Sequence, residues 1–340
     1  MTAGGDGTGR SRVAFPGISS RAYEHPADRT ALAALKQVRG FDEMLKWLSG
    51  LLRERSHRLI YLASTVRVSE RQFAGVHELV VDGARILDLP RAPEAFVVLD
   101  PMPRAITLGL DTPFLVLSTG LVELLEPDEL RFVVGHEVGH VLSGHAVYRT
   151  MLDHLLRLSR RVFWLPIGYL GLRTLLAALE EWYRKSELSC DRAGLLAGQD
   201  PAAALRAQMK LAGGGAIGEM DIAEFLDQAR EYDATGQLRD GVLKLLNLEG
   251  QRHPLSAVRA AELRAWVDSG DYARILGGDY PRREDDGQAS VRDDAKDAAA
   301  AYKQRIDESA DALTRLLRGV GEEAMAAGQR IAERMRTRDS

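Results

Sequence analysis

A chain of 340 residues with 45 basic residues, 49 acidic residues and one cysteine can bury one large core, or one core with an appendage. The net charge of -4 gives no nucleic-acid footprint, so no nucleic acid is expected as a partner. The single cysteine, Cys190, excludes an internal disulfide framework and favours a reducing compartment, so we expect a cytoplasmic location.

Composition divides the chain into three regions. Residues 1–18 carry glycines and charges where a secretory signal would be apolar, and they are predicted to be a disordered leader. Residues 19–280 alternate helical periodicity with short turn signals, which predicts the main domain. Residues 281–340 begin as a polar linker and continue as a charged helix with a narrow apolar stripe. This C-terminal helix is expected either to pack on the domain or to mediate self-association.

The predicted elements of the main domain are mostly helices. Asp28 is placed to cap a first helix, and amphipathic patterns predict further helices at residues 41–62 and 70–86. Helices also predominate after residue 118. Between them, three short apolar runs predict the strands of a small antiparallel sheet. The expected fold class is therefore α+β, mostly helical, with the sheet beside a helical core. The three runs are residues 95–99, 105–110 and 113–117.

One predicted helix carries a metal-binding pattern. Residues 128–145 read DELRFVVGHEVGHVLSGH and contain the HExxH motif from His136 to His140. Four residues turn a helix by only about 40° and advance it by about 6 Å, so both imidazoles lie on one face. That arrangement is typical of two ligands of a tetrahedral zinc ion. Glu137 is then placed beside the metal-bound water, where it can act as a general base.

Two candidates for a third ligand follow the motif. His145 lies five residues after His140, and on a continuing helix it would point about 140° away, which favours a supporting role. Glu187 and Asp191 are four residues apart on a second predicted helix and share a face. The first can bind zinc, while the second can accept the free N–H of a zinc-bound imidazole. Cys190 between them is interpreted as a small buried residue.

A further motif, RHPLSAVRAAEL, occupies residues 252–263. With the segment that runs from Leu115 through the HExxH helix, and with SELSCDRAGLL at residues 186–196, it resembles the HtpX-like zinc metallopeptidases. This gluzincin family also contains the CAAX prenyl endopeptidases. The resemblance spans roughly residues 67–276, and the order and spacing of three separate motifs make it specific.

The resemblance assigns roles to the matching residues. It implies one zinc ion per chain held by His136, His140 and Glu187, with Glu137 as the catalytic base and Asp191 supporting a ligand. It also implies that two residues of the late motif lie near the site, where they stabilise the developing oxyanion or brace a ligand. A structural salt bridge from the second of them is the alternative. These two residues are His253 and Arg259.

The apolar run at residues 162–179 approaches the length of a membrane span. Integral-membrane relatives carry two spanning helices at this point, whereas here Pro166 and Arg173 interrupt one run. His140 and Glu187 must lie on the same side of a bilayer to share an ion, so a single crossing between them is excluded. The run is expected to be buried, or to contact the membrane peripherally without crossing it.

The expected function is a zinc metalloendopeptidase that acts on protein or peptide substrates in turnover or quality control. One alternative is a zinc aminopeptidase or other zinc hydrolase, although no group that binds a free α-amine is visible. Another is a non-catalytic, zinc-stabilised interaction or chaperone-like module, which would have no use for Glu137. The stretch Arg104-Ala105-Ile106 replaces the Asn-Ala-Phe-like stretch that is frequent in the family, so subsite preferences are not carried over.

Overall fold

The computed structural model describes residues 11–36, 54–162, 166–234 and 255–286. The helices within these ranges are α1 (Pro26–Lys36), α2 (Glu54–Ser64), α3 (Ala74–Ile86), α4 (Thr119–Leu124), α5 (Pro127–Leu142), α6 (His145–Val162), α7 (Pro166–Gly198), α8 (Pro201–Gly213), α9 (Ile222–Ala234), α10 (Ser256–Asp268) and α11 (Asp271–Leu276). The strands are β1 (Val66–Arg67), β2 (Glu94–Val98), β3 (Ala105–Leu108) and β4 (Phe114–Ser118). The predicted α+β class is confirmed.

The sheet differs from the predicted one in two respects. It has four strands in the order β1-β2-β4-β3, and it is mixed because β2 and β4 are parallel. The predicted three-stranded antiparallel sheet is therefore wrong in strand number and direction. The reason lies in the path of the chain: after β2 it crosses to the outer position and forms β3. β4 then returns antiparallel to β3 in the space beside β2, so it runs in the direction of β2.

Both faces of the sheet are covered. Alternate residues of β2 and β4 point to opposite sides, as strand geometry requires. One side joins the main hydrophobic cluster through residues such as Val97 and Leu117, together with Val134 and Val138 of α5. The other side forms a smaller cluster, and Tyr61 of α2 packs against it. The sheet therefore lies directly against the helix that carries the HExxH motif, with β3 beside that helix.

Small residues bring α5 and α7 into close contact. A Cβ atom at Gly135 would lie 2.4 Å from the Cβ of Ala197, and one at Gly139 would lie 2.5 Å from the Cβ of Ala193. No side chain larger than hydrogen fits at either glycine without a shift of the helices. This close approach places the histidine face of α5 against the segment of α7 that contains Glu187.

The site lies in one compact unit, whose described residues are 11–36, 54–162, 166–231 and 255–286. The predicted boundary of the leader at residue 18 stays a prediction, but Phe15 and Ile18 are fully buried in the main cluster. α1 begins at Pro26, so Asp28 lies inside its first turn and not at its cap. The predicted C-terminal helix lies outside the described residues.

The described helices include none that is long and apolar enough to cross a membrane. Within the apolar run at residues 162–179, Leu176 and Leu179 are buried against α6 and Trp182. The choice between burial and peripheral membrane contact for the rest of that run stays a prediction.

Candidate metal centre

Three buried side chains from α5 and α7 meet at one point. The Nε2 atoms of His136 and His140 are 3.1 Å apart. Oε2 of Glu187 lies 3.4 Å from Nε2 of His136, and its Oε1 lies 3.2 Å from Nε2 of His140. Zinc–ligand bonds of about 2.0–2.1 Å in a tetrahedron separate neighbouring ligand atoms by about 3.3 Å. The three groups are therefore spaced as ligands of one zinc ion would be.

The chemistry of these groups also fits a cation. Among the described residues, none completes a hydrogen bond to the buried Oε1 of Glu187, and a bound ion would satisfy that oxygen. Burial raises the pKa of Glu187, but the charges of His136 and Arg149 and the close contacts of both imidazoles lower it well below its usual range. Burial and Arg149 lower the pKa of His140 well below its usual range. The ionised carboxylate of Glu187 and the neutral imidazole of His140 are forms that bind zinc, whereas His136, whose pKa is raised, releases a proton when zinc binds.

Asp191 supports the far side of the His136 ring. Its Oδ1 lies 3.0 Å from Nδ1 of His136, and Gln208 donates to the same oxygen across 3.2 Å. Burial raises the pKa of Asp191, but the guanidinium of Arg259 more than offsets this and holds it below the usual range. Burial also lowers the pKa of His136, and the carboxylates of Glu187 and Asp191 raise it in net to about 9.

Arg259 lies behind the ligands. Its Nε donates to Oδ2 of Asp191 across 2.7 Å, and its Nη1 lies 3.4 Å from Oε2 of Glu187. These contacts are those of a group that braces a ligand. His253, the other residue of the late motif, lies outside the described residues.

His145 does not lie on a continuation of α5. The helix ends at Leu142, and Gly144 adopts a positive φ of 69°, after which α6 begins at His145. Nδ1 of His145 returns to within 3.2 Å of Nδ1 of His140, on the side of that ring that faces away from Glu187. His145 therefore does not point away from His140, as it would on a continuous helix. Its side chain lies behind the ligand position of His140.

Cys190 is fully buried, and its Sγ lies 3.6 Å from Nδ1 of His145. Burial raises the pKa of the thiol well above its usual range, and Glu187 and Asp28 raise it further. The side chain is therefore a protonated thiol, which agrees with its interpretation as a small buried residue.

Glu137 is held by two groups that the sequence patterns did not single out. Its Oε2 accepts hydrogen bonds from Oγ1 of Thr107 at 2.6 Å and from Nη1 of Arg149 at 3.2 Å. Arg149 also donates to the hydroxyl of Tyr183 at 3.0 Å. Neither Thr107 nor Arg149 belongs to a motif, and no sequence pattern predicts that an arginine of α6 is buried.

Comparisons with known proteins find a family of peptidases. The model of peptidase family M48 matches residues 70–267. The plastoglobule-localized metallopeptidase 48, chloroplastic, of Arabidopsis thaliana is 34% identical over 268 residues, which cover 77% of this chain and 77% of that protein. A protease HtpX homolog of Moorella thermoacetica is 37% identical over 86 residues, which cover 25% of this chain and 28% of that protein. The HtpX homolog of Methanocaldococcus jannaschii is 29% identical over 103 residues, which cover 29% of this chain and 36% of that protein. No solved structure matches the chain.

Proposed function

Because the chain belongs to peptidase family M48, we propose that it is a zinc-dependent metalloendopeptidase. In this proposal His136, His140 and Glu187 hold one zinc ion, and Glu137 is the general base. The predicted resemblance to HtpX-like metallopeptidases is confirmed by the family match and by the relatives. The observation that supports the proposal most is the 3.1–3.4 Å spacing of three buried ligand groups on two tightly packed helices.

The proposed chemistry divides between the metal and the protein. Zinc held at this position would polarise the scissile carbonyl and lower the pKa of a bound water to about 7. Glu137 then accepts a proton from the attacking water and delivers it to the leaving amine nitrogen. Thr107 and Arg149 both donate to Oε2 of Glu137, so Oε1 is the oxygen that we expect to carry the proton.

Asp191 and Arg259 prepare His136 for the metal. An acceptor at Nδ1 keeps the ring proton on that nitrogen, which leaves the lone pair of Nε2 free to bind zinc. Arg259 fixes the orientation of Asp191 through two hydrogen bonds. We therefore propose a bracing role for Arg259 and leave the role of His253 as an expectation.

The position of β3 favours an endopeptidase. Within the described residues β3 is an edge strand, and Thr107 on it contacts the proposed base. An extended peptide that pairs with such an edge can continue on both sides of the scissile bond. The proposed substrates are proteins or peptides, in turnover or quality control. The proposed location is cytoplasmic, with peripheral membrane contact at most. The name plastoglobule-localized applies to the Arabidopsis relative.

The test uses an internally quenched peptide with both ends blocked, digested by the full chain. Wild type is expected to cleave it, and Glu137→Gln is expected to lose at least about 100-fold in rate while it keeps its zinc. Glu123→Gln changes an exposed glutamate and is the matched control, with an unchanged rate. A Glu137→Gln variant as active as wild type would show that the mechanism is wrong. Cleavage of peptides only when their amino end is free would favour the aminopeptidase alternative.

A further inference from the structure

The ring of His140 is held from behind by a chain of buried groups. Its Nε2 faces Glu187, and its Nδ1 lies 3.2 Å from Nδ1 of His145. Nε2 of His145 in turn lies 3.5 Å from Oδ2 of Asp28. Ser189 donates to the same oxygen of Asp28 across 2.6 Å. All of these side chains are buried, so water does not compete for the contacts.

The protons in this chain of groups can all point one way. An imidazole that binds a metal through Nε2 carries its proton on Nδ1, and His140 therefore donates to His145. His145 accepts at Nδ1, so its own proton is on Nε2, where it faces the carboxylate of Asp28. The result is an ordered arrangement in which His140 donates to His145, and the Nε2–H of His145 faces the carboxylate of Asp28 in a longer contact of 3.5 Å. His136 has the shorter version of the same arrangement, because Asp191 contacts its Nδ1 directly.

Asp28 is itself fixed by its surroundings. Ser189, which donates to Asp28, accepts a hydrogen bond from the backbone N–H of His25 across 2.9 Å. The indole of Trp182 packs edge-on against the imidazole of His145, with ring centroids 5.3 Å apart. The carboxylate at the end of the chain of groups is therefore anchored to both α1 and α7, and it can set the orientation of the rings between it and the metal position.

We propose that Asp28, acting through His145, is a positioning residue for the metal ligand His140. The proposal rests on the proposed zinc site and adds to it a residue from the N-terminal helix α1. Partners behind a metal-bound histidine fix its tautomer and raise its basicity, and their loss typically weakens metal binding 10- to 100-fold. Asp28 would thus make the N-terminal segment a part of the metal centre.

A competing arrangement uses some of the same residues. Ligand atoms of His140, His145 and Cys190 all lie within 4.8 Å of one another and could hold a second ion. The contact of 3.2 Å between the two imidazoles is a hydrogen-bond distance. The carboxylate of Asp28 faces the other nitrogen of His145, and we therefore favour positioning over a second metal.

The test measures the dissociation constant of zinc by competition with a chelator, in the full chain. Asp28→Asn keeps the size of the side chain and an acceptor for Ser189 but removes the charge, and it is expected to weaken zinc binding 10- to 100-fold. The control is Glu78→Gln, which changes an exposed carboxylate of α3 and leaves the affinity unchanged. Thermal unfolding of the metal-free proteins shows that each variant is folded.

A double-mutant cycle keeps the test specific to this route. If Asp28 acts through His145, then Asp28→Asn has little further effect on zinc affinity in a His145→Phe background. Wild-type affinity in Asp28→Asn, or full additivity of the two substitutions, would overturn the proposal and leave the zinc site intact. Two zinc ions per wild-type chain would overturn it as well, because His145 would then be a ligand. A wild-type chain that binds no zinc would overturn the proposed function together with this inference.

Discussion

Nη1 of Arg149 donates to Oε2 of Glu137 across 3.2 Å, and both side chains are buried. Thr107 on β3 donates to the same oxygen. Charge-assisted hydrogen bonds of this kind fix the orientation of a carboxylate. The proposed base is therefore held by residues from α6 and β3, and the HExxH helix alone does not determine its geometry.

Arg149→Met is expected to lower kcat for peptide cleavage by about 10- to 100-fold, because a catalytic group that is displaced by about 1 Å costs up to 100-fold. It also leaves buried carboxylates without their cation, so the free energy of unfolding of the metal-free chain should fall by about 3–5 kcal/mol. Arg149→Lys keeps the charge but lacks the fork of donors that reaches both partners. Its kcat and its free energy of unfolding should therefore lie between those of wild type and Arg149→Met. Kinetics with the quenched peptide and urea unfolding check both effects. An Arg149→Met variant with wild-type kcat would refute the positioning of Glu137 by this residue.

Gly139→Ala is expected to disturb the metal centre through packing. The new Cβ would lie 2.5 Å from the Cβ of Ala193, so α5 and α7 must separate. Overpacking of this kind costs about 1–3 kcal/mol of stability, and zinc affinity should fall with it. The added substitution Ala193→Gly should restore both quantities.

Gly75→Ala is the matched control for that substitution, since nothing lies within 4 Å of a Cβ built there in α3. It should be neutral or stabilise the protein by up to about 1 kcal/mol. Equal effects of the two alanine substitutions on zinc affinity would mean that the close contact of α5 and α7 does not control the site.

Arg259→Met separates the three roles that the sequence left open for this residue. A brace behind the ligands predicts zinc binding that is weaker by about 10- to 100-fold, because Asp191 is no longer held in place. A residue that stabilises the oxyanion would instead lower kcat with zinc affinity unchanged. A purely structural salt bridge would lower only the free energy of unfolding. Chelator competition, kinetics at saturating zinc and urea unfolding of the same variant distinguish these outcomes, and we expect the first.

Asp28 also gives the metal-free chain a defined dependence of stability on pH. Burial raises the pKa of Asp28 to about 7, and Glu24 contributes to the rise, whereas the hydrogen bond from Ser189, the nearby indole of Trp182 and the charge of Arg29 oppose it. The folded-state pKa lies above the unfolded value of about 3.9, so the native state binds more protons between these values. The contribution of this group to stability is present below about pH 4 and is lost as the pH rises through about 7.

Asp28→Asn removes that loss. With a chelator present, the free energy of unfolding of the variant should increase relative to that of wild type as the pH rises. The increase between pH 5 and pH 8 should be on the order of 2 kcal/mol. Urea unfolding of both proteins across this range measures the difference. A difference that stays constant from pH 5 to pH 8 would contradict the raised pKa of Asp28. If the variant is more stable but binds zinc more weakly, Asp28 contributes to zinc binding at a cost in stability.

The part of the site that the sequence predicted depends on local geometry. Two histidines four residues apart on a helix share a face wherever the helix lies, and the pairing of Glu187 with Asp191 follows from the same spacing. The structure brings these residues together at ligand distances. The α+β class follows equally from periodicities that are read within single segments.

What the sequence missed depends on contacts between distant segments. Asp28 resembles a helix cap locally, yet its partner Ser189 lies 161 residues away. The parallel pairing of β2 and β4 depends on the route between them and not on either strand. A continuation of α5 would point His145 away from His140, but the chain turns at Gly144, which has a positive φ, and the helix ends before His145. The burial of Arg149 likewise follows from how α6 packs on α7, which no local pattern encodes.

The proposed function requires that one zinc ion is bound by two imidazoles and a carboxylate at the junction of α5 and α7. X-ray absorption at the zinc edge, on the full chain loaded with one equivalent of zinc, tests it most directly. We expect a shell of nitrogen and oxygen neighbours at about 2.0–2.1 Å that includes two imidazoles and no sulfur. A sulfur neighbour at about 2.3 Å would make Cys190 a ligand and would contradict the proposed ligand set.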